Sequence, residues 1–382
     1  KPPKAEARHR ISGKELVSFV PMEDLGVDQK ILVPTQTKTL EEVAGSYTYF
    51  ADGDVLLAKI TPCFENGKLG IADNLTNGIG FGSSEYIVFR PSPAIEKEWL
   101  YYFLSRQSFR EEGAARMSGA VGHRRVAKEF IEFYPIPVPP LPEQRRIVAL
   151  LDESFDGIAT AKANAEKNLQ NARALFESHL QSVFTERGEG WVEKRLGNVC
   201  AITSTLVDPR KEEFIDLTHV GAANIESQTG AFIELKTARE EGLISGKFLF
   251  EDSMVLYSKI RPYLMKVARP AFSGLCSADM YPLTPLPNEI TRDYLFYLLL
   301  SKPFTEYAIL GSARAGMPKV NREYLFEFRT CLPSVQKQIE LSAQLDALHE
   351  ETQRLESLYQ RKLAALDELK QSLLHQAFSG QL

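Results

Sequence analysis

Long apolar runs, paired cysteines and nucleotide-binding loops are all missing from this sequence of 382 residues. Its longest apolar runs are short, Tyr294–Leu300 being typical, so we expect no membrane span. Its four cysteines form no Cys-x-x-Cys pair and have no histidine nearby, which argues against a disulfide framework. We therefore expect a folded cytoplasmic protein with reduced thiols, long enough for two or three domains.

Catalytic signatures are missing as well. No Gly-x-x-x-x-Gly-Lys-Ser/Thr loop is present, which argues against a nucleotide-driven motor. Val138-Pro-Pro-Leu141 has the wrong residue at both ends for the Asn/Asp/Ser-Pro-Pro-aromatic loop of an adenine methylase. Gly78-Ile-Gly-Phe-Gly82 lacks the spacing of a dinucleotide loop, and we expect a turn there. The six histidines show no metal-ligand spacing, so the sequence predicts neither a cofactor nor a metal in this chain.

One group of residues leaves a catalytic alternative open. Asp216, followed by Glu234-Leu-Lys236, imitates the Asp…Glu-x-Lys set with which many nucleases hold Mg²⁺ and orient water. Glu-x-Lys is common by chance, and the first half of the chain has no equivalent, so a charged edge strand is the simpler interpretation. A self-sufficient Mg²⁺-dependent DNA endonuclease is therefore the alternative hypothesis.

A long helical pattern occupies the middle of the sequence. After Leu141-Pro-Glu-Gln-Arg-Arg-Ile147 no proline occurs up to Phe184, and apolar residues recur in steps of three, four and seven. A helix of this length, roughly 60 Å, needs a second long helix to cover its apolar stripe. Gln336–Phe378 at the end of the chain has the same pattern. The predicted stripe of the first helix consists of Ile147, Leu151, Phe155, Ile158, Ala165, Leu169, Ala172, Phe176, Leu180 and Val183.

An internal duplication is the strongest signal in the sequence. Matching segments recur in the same order, at offsets between 194 and 200 residues. They include Phe50–Pro62 with Phe250–Pro262, Gly80–Pro91 with Gly274–Pro285, Ser118–Val126 with Ser312–Val320, and Leu180–Phe184 with Leu374–Phe378. Each copy therefore follows one plan, a strand-rich region and then a long helix.

The predicted fold class is α+β, with two strand-rich domains joined by two long antiparallel coiled-coil helices and related by a pseudo-two-fold axis. The strand-rich regions are assigned to 1–138 and 188–331, and the helical spacers to 139–187 and 332–382. Each strand-rich region should contain one short helix, at Glu98–Phe109 and at Arg292–Tyr307. Strands are predicted at Val55–Ile60, Tyr86–Arg90, Phe232–Leu235 and Met254–Ile260.

Basic residues cluster at equivalent positions of the two copies, although the chain carries a net charge of −5. The stretches 116–128 and 258–270 contain no acidic residue. Arginine and lysine neutralise phosphates and can reach guanine edges, while nearby glycines let the backbone approach a phosphate. We therefore predict DNA binding rather than a solvated surface. The candidate DNA-binding residues are Lys59, Arg116, His123, Arg124, Arg125, Lys128, Lys259, Arg261, Lys266, Arg314, Lys319 and Asn321.

Some of these candidates match between the copies and others differ. Lys59 recurs as Lys259, and the cation at Arg125 recurs as Lys319. Matched residues suit phosphate positioning, whereas a divergent position such as His123 suits base reading.

In its combination of motifs, the chain resembles the specificity subunit of type I restriction–modification enzymes. The resemblance covers nearly the whole sequence and is carried by Leu141–Ile147, by the closing Leu373-Leu-His-Gln-Ala-Phe-Ser-Gly-Gln-Leu382 and by Leu256–Tyr263. Trp191-Val-Glu-Lys-Arg-Leu-Gly-Asn opens the second copy in the family manner, but residues 1–14 offer no counterpart. Part of the first domain is therefore expected to be absent.

The resemblance implies a non-catalytic subunit whose two domains each read one half of a bipartite double-stranded DNA site. It also implies that the helices set the spacing and dock two methylation subunits, and that restriction subunits join in the full complex. S-adenosylmethionine, ATP and Mg²⁺ would belong to those partners and not to this chain. A coiled-coil scaffold that touches no DNA is a further alternative.

Overall fold

The computed structural model describes residues 2–120, 122–186, 188–313 and 317–382. The chain forms two compact units, one of residues 1–166 with 360–382 and one of residues 167–359. Each unit combines β-sheets with short helices and with parts of two long helices. Within the described ranges, no helix is both long and apolar enough to cross a membrane.

The described residues of the first unit form two sheets. Their strand orders are β2-β1-β6-β3 and β5-β4-β7, and β1 and β6 run parallel. The strands are β1 (Leu16–Val20), β2 (Gln36–Thr39), β3 (Thr48–Ala51), β4 (Val55–Ala58), β5 (Leu69–Ile71), β6 (Ile79–Gly82) and β7 (Tyr86–Phe89). The short helices are α1 (Ala5–Arg10), α2 (Leu40–Val43), α3 (Lys97–Ser105), α4 (Gln107–Ala115) and α5 (Lys128–Phe133), and the long helix α6 (Leu141–Thr185) follows.

The second unit repeats this plan with additional strands. Its sheets have the orders β10-β13-β16-β11-β12, β15-β14-β17-β9 and β18-β8. The first strands are β8 (Val192–Arg195), β9 (Cys200–Ala201), β10 (Leu206–Val207), β11 (Thr218–Val220), β12 (Lys236–Thr237) and β13 (Lys247–Phe250). They are followed by β14 (Val255–Ser258), β15 (Val267–Ala268), β16 (Gly274–Cys276), β17 (Met280–Pro285) and β18 (Arg329–Leu332). The helices are α7 (Arg292–Leu300), α8 (Lys302–Leu310), α9 (Arg322–Phe326) and the long α10 (Val335–Ser379).

The strand registers confirm the duplication. Ser18 pairs with Thr37 in the first unit, and Thr218 pairs with Thr237 in the second, so both partners are shifted by 200 residues. The parallel β1–β6 pair likewise corresponds to β11 with β16. Strands β8 and β9 have no strand counterpart in the described part of the first unit. The expected fold class, two strand-rich regions with two long helices, is confirmed.

The long helices α6 and α10 begin and end within one residue of the helical patterns Leu141–Phe184 and Gln336–Phe378. In the first unit Lys162 binds Asp367, with 2.6 Å between Nζ and Oδ1, and Arg146 donates to the carbonyl of Leu382. In the second unit Arg173 binds Glu356 at 2.7 Å. Within the first unit, the contacts move backwards from Leu382 to Asp367 as α6 advances from Arg146 to Lys162. The two segments are therefore antiparallel, as predicted.

A buried glutamine fixes the start of each long helix. In the first unit Gln144 is fully buried; its Nε2 donates to the carbonyls of Ala94 and Pro139 at 2.9 and 2.7 Å, and its Oε1 accepts from the amide of Glu96 at 2.9 Å. Backbone groups buried without partners are costly, and this side chain satisfies three of them. The glutamine of the Leu-Pro-Glu-Gln motif therefore ties the helix to the loop before α3.

The second unit repeats this arrangement. Gln338 is fully buried, donates to the carbonyls of Glu289 and Pro333 at 3.0 and 3.1 Å, and accepts from the amide of Thr291 at 2.9 Å. The loop bound by Gln338 precedes α7, as the loop bound by Gln144 precedes α3. The same side chain thus makes the same three bonds in both copies.

An aspartate on each long helix anchors it to the neighbouring short helix. In the second unit Asp346 accepts hydrogen bonds from Arg269 and from the Tyr297 hydroxyl, both at 2.6 Å. In the first unit Asp152 holds Lys30 and Tyr102 in the corresponding way. Asp152 and Asp346 are matched in the repeat, as are Tyr102 and Tyr297, so the tyrosine contact belongs to the common plan, whereas the cation comes from different positions, Lys30 and Arg269.

Three local expectations were wrong. Each predicted short helix is two helices, α3 and α4 or α7 and α8, separated by one residue with extended backbone, Arg106 or Ser301. Phe232–Leu235 is not a strand, because Phe232 forms only an isolated bridge with Ile225.

The third error concerns the glycine-rich stretch 78–82, of which Ile79–Gly82 is the buried strand β6 rather than a turn. A Cβ on Gly80 would lie 2.1 Å from the Phe50 ring, so only glycine lets that ring cross the strand. Gly274 lies against Phe250 in the same way, because a Cβ there would lie 2.9 Å from the ring. These glycines therefore serve sheet packing.

Candidate nucleic-acid interface

Two cations of the first unit, Lys59 just after β4 and Arg125, share the carboxylate of Glu85 just before β7. The backbone next to Arg125 is hydrogen-bonded to the backbone at Lys59, because the amide of Val126 donates to the carbonyl of Lys59 at 2.9 Å. Arg125 donates two hydrogen bonds to Glu85, at 3.0 and 2.8 Å, and the Lys59 ammonium lies 3.8 Å from the same carboxylate. Hydrogen bonding from Arg125 holds the pKa of Glu85 below its usual range.

The second unit has the equivalent cluster after β14. The amide of Val320 donates to the carbonyl of Lys259 at 2.8 Å, and the ammonium groups of Lys259 and Lys319 lie 3.9 and 3.6 Å from Asp279. The Lys259 ammonium also donates to the carbonyl of Ala278. Burial, together with the charge of Lys319, lowers the pKa of Lys259. We call these groups the twin cation clusters: Lys59, Arg125 and Glu85, and Lys259, Lys319 and Asp279.

Three further basic candidates of the first unit are also paired. Arg124 lies 3.5 Å from Glu65, Arg116 lies 4.0 Å from Glu112, and Lys128 lies 2.9 Å from Glu132. Stretches without acid in the sequence therefore meet carboxylates supplied from outside them. The net positive charge around residues 116–128 is therefore smaller than the sequence of that stretch alone indicates.

Two further candidates have structural partners. The Lys266 ammonium donates to the carbonyl of Ala222 at 2.6 Å, which joins two loops of the second unit. The Asn321 side chain caps α9 by accepting from the amide of Tyr324 at 2.7 Å. Both side chains therefore position loops.

The remaining candidates are His123, Arg261 and Arg314. His123 and Arg261 are exposed, and neither side chain has a hydrogen bond or ion pair within the described residues. Arg314 lies outside the described residues. Sequence reasoning missed Glu85 and Asp279, although their matched positions in the repeat were a usable signal.

The nuclease-like group does not assemble into a metal site. Asp216 accepts two hydrogen bonds from Arg239, at 2.7 and 3.0 Å, so its carboxylate is already occupied. Glu234 has a positive φ of 48° and lies outside the strands, while Lys236 is in β12. Among the residues that the structure describes, no group of three or more His, Cys, Asp or Glu side chains could hold a metal ion.

Known proteins resemble this chain in sequence and in fold. The family model described as "Type I restriction modification DNA specificity domain" matches residues 22–170 and 188–362. The EcoDI specificity subunit of a type I restriction enzyme from Escherichia coli is 34% identical over 192 residues, which are 50% of this chain and 42% of that protein. The EcoAI specificity subunit, also from Escherichia coli, is 32% identical over 212 residues, 54% of this chain and 36% of that protein. The chain thus spans about two fifths of these relatives.

The fold is also found in a solved structure. The HsdS subunit from Thermoanaerobacter tengcongensis superposes with a TM-score of 0.66 at 20% identity, covering 97% of this chain and 92% of that one. At this identity the likeness concerns the fold.

Proposed function

Because the chain belongs to the family of type I restriction modification DNA specificity domains, we propose that it is the non-catalytic subunit that recognises the DNA target of a type I restriction–modification enzyme. Each unit contacts one half of a bipartite double-stranded target. The observation that supports this most directly is the twin cation clusters, which lie at matched positions of the repeat. Two equivalent phosphate-binding surfaces suit two half-sites.

Within this proposal the candidate residues divide by role. Arg125 and Lys319, the more exposed cations of the clusters, neutralise phosphates together with Lys59 and Lys259. Arg116, Arg124 and Lys128 add further phosphate contacts, and Arg314 is assigned the same role from its position in the sequence. Lys266 and Asn321 position loops of the second unit. His123 contacts a base edge.

The proposal includes partners. Double-stranded DNA and two methylation subunits bind this chain, and restriction subunits join in the full complex. The long helices, assigned to 139–187 and 332–382, set the separation of the half-sites and dock the methylation subunits. The strand-rich regions, assigned to 1–138 and 188–331, read the DNA. S-adenosylmethionine, ATP and Mg²⁺ act in the partner subunits, and the complex works in the cytoplasm.

The exposed cluster cations provide the test of this function. We expect the double variant Arg125→Gln with Lys319→Gln to reduce the slope of log affinity against log salt by about two, since each lost phosphate contact removes roughly 0.9. Fluorescence anisotropy with target DNA, over a series of salt concentrations, measures this slope for the complex with its methylation subunits.

A control variant makes the same change in charge elsewhere. Arg145 and Lys302 are exposed cations of the two units, paired with Glu96 and Glu306 outside the clusters. Arg145→Gln with Lys302→Gln should leave the slope within about half a unit of the unaltered protein. A slope that falls equally in both double variants would contradict a specific role for the clusters.

The cluster carboxylates should oppose DNA binding. Glu85→Gln is expected to tighten binding about fivefold, because a carboxylate about 4 Å from a phosphate costs roughly 1 kcal/mol in water. Glu98→Gln is the control, since Glu98 is similarly exposed but lies beside Lys97. Weaker binding by Glu85→Gln in the same anisotropy assay would mean that Glu85 mainly positions Arg125.

A further inference from the structure

We propose that Arg261 reads a guanine in the half-site bound by the second unit, an inference that rests on the proposed DNA-recognition function. Arg261 lies between β14 and β15, and its amide donates to the carbonyl of Pro318 at 2.9 Å. The preceding residue, Ile260, bridges to Lys319. Arg261 therefore borders the cation cluster of this unit, where phosphates would hold a duplex in register.

The backbone of this loop is fixed in an unusual conformation. Arg261 has φ 50° and ψ 60°, and Met265 has φ 48° and ψ 47°, so two non-glycine residues of one loop are left-handed. In the first unit the position of Met265 is taken by Gly67, with φ 79°, and Thr61 at the position of Arg261 does not have a positive φ. Non-glycine residues keep a left-handed backbone only where the surrounding contacts impose it, and such residues cluster at binding sites.

The surrounding contacts do impose it. The Leu264 amide donates to the carbonyl of Arg261, and the Met265 amide donates to the carbonyl of Pro262, both at 2.9 Å. The carbonyl of Met265 accepts from the amide of Gln228 at 3.2 Å, and Pro262 is buried. Arg261 thus projects from a loop whose backbone is held by hydrogen bonds, which limits the backbone entropy lost on binding.

The Arg261 guanidinium has no hydrogen-bond or ion-pair partner among the residues that the structure describes. Lys259 and Lys319 are neighbours of Asp279, but Arg261 is exposed and forms no ion pair or side-chain hydrogen bond there. Two parallel N–H donors match the O6 and N7 acceptors of guanine in the major groove, which is the pairing by which arginine distinguishes that base. A lysine supplies the charge but not the fork.

The corresponding residue of the first unit cannot make this contact. Thr61 occupies the position, and its hydroxyl donates to Glu65 at 2.8 Å. The two units therefore share phosphate-binding cations but differ at this position. This difference predicts that only the second half-site has a guanine whose recognition depends on Arg261.

The test is a binding-site selection with the complex containing Arg261→Lys or Arg261→Ala. Both variants keep a Cβ, so neither adds backbone strain. We expect both to lose a guanine preference of about tenfold or more at one position of one half-site, while the other half-site is selected unchanged. Arg261→Lys should bind the selected DNA with nearly the salt slope of the unaltered protein, and Arg261→Ala with a similar or slightly smaller slope.

The outcomes separate this inference from the function it rests on. Retained guanine selection by Arg261→Lys, or weaker binding without a change in selected sequence, would make Arg261 a phosphate contact and overturn the inference. Altered selection at the other half-site would overturn it too. An unaltered complex that selects no sequence would instead refute the proposed function. Arg329→Lys, an exposed arginine paired with Glu193 in the same unit, is the matched control and should change nothing.

Discussion

Replacing Gln338 with alanine should destabilise the second unit by about 3–4 kcal/mol. The change removes three hydrogen bonds and leaves the amide of Thr291 and the carbonyls of Glu289 and Pro333 without their partner. Each buried polar group left unpaired costs about 1–3 kcal/mol, and some of them will recover water. Urea unfolding followed by circular dichroism measures the loss as a lower midpoint.

A neighbouring glutamine provides the control. Gln336 is exposed, lies two residues earlier on α10, and should tolerate alanine with a change of less than about 0.5 kcal/mol. Hydrogen exchange localises the effect, because the amide of Thr291 should lose protection in Gln338→Ala while the first unit is unchanged. Equal stability of the two variants would show that the buried bonds contribute little.

Asp346→Ala should destabilise the same unit by about 2–3 kcal/mol. Arg269 has a side chain only 21% exposed, lies 4.4 Å from the centre of the Phe296 ring, and loses its closest carboxylate. Breaking a fully buried ion pair costs about 3–5 kcal/mol, and solvent reduces this value because the Asp346 side chain is 41% exposed. Asp367→Ala, which breaks the more exposed pair with Lys162, should cost less than about 1 kcal/mol.

The same pair gives the unit a pH dependence. Burial alone would raise the pKa of Asp346, but hydrogen bonds from Arg269 and Tyr297 outweigh burial and lower it. A lowered pKa contributes stability that is complete above the usual aspartate value of about 3.9 and is lost as pH falls through the folded-state value. Asp346→Ala should therefore flatten the decline of the unfolding midpoint below about pH 4. An unchanged decline would assign it to other carboxylates.

Patterns that repeat along the chain were predictable from the sequence. The long helices follow from their apolar spacing, and the two-copy plan follows from matched segments, since both signals are read within one stretch or by one offset. The break between α7 and α8 was also readable. Ser301 accepts from the amide of Phe304, and Pro303 follows it in the first turn, which is the usual signature of a helix start.

Features that depend on distant residues were not predictable in this way. The partner of Arg125 is Glu85, 40 residues away, so a stretch without acid gave no warning that its charge would be balanced. Gly80 was expected in a turn because its glycine-rich stretch lacks the spacing of a dinucleotide loop. The need for glycine there comes instead from Phe50, its partner on the neighbouring strand β3. Composition and spacing within a segment predicted the paired long helices, but not which side chains of distant loops and strands come into contact.

The carboxylate in each cation cluster has a consequence for selectivity. Glu85 and Asp279 pair with the cluster cations in the free protein, so in the proposed complex DNA phosphates have to displace these carboxylates. A polyanion of arbitrary sequence gains little from this exchange, because its backbone contacts only replace existing ones. A correct half-site adds base contacts that these carboxylates cannot offer, so the clusters would limit retention on the vast excess of chromosomal sequence that lacks the target.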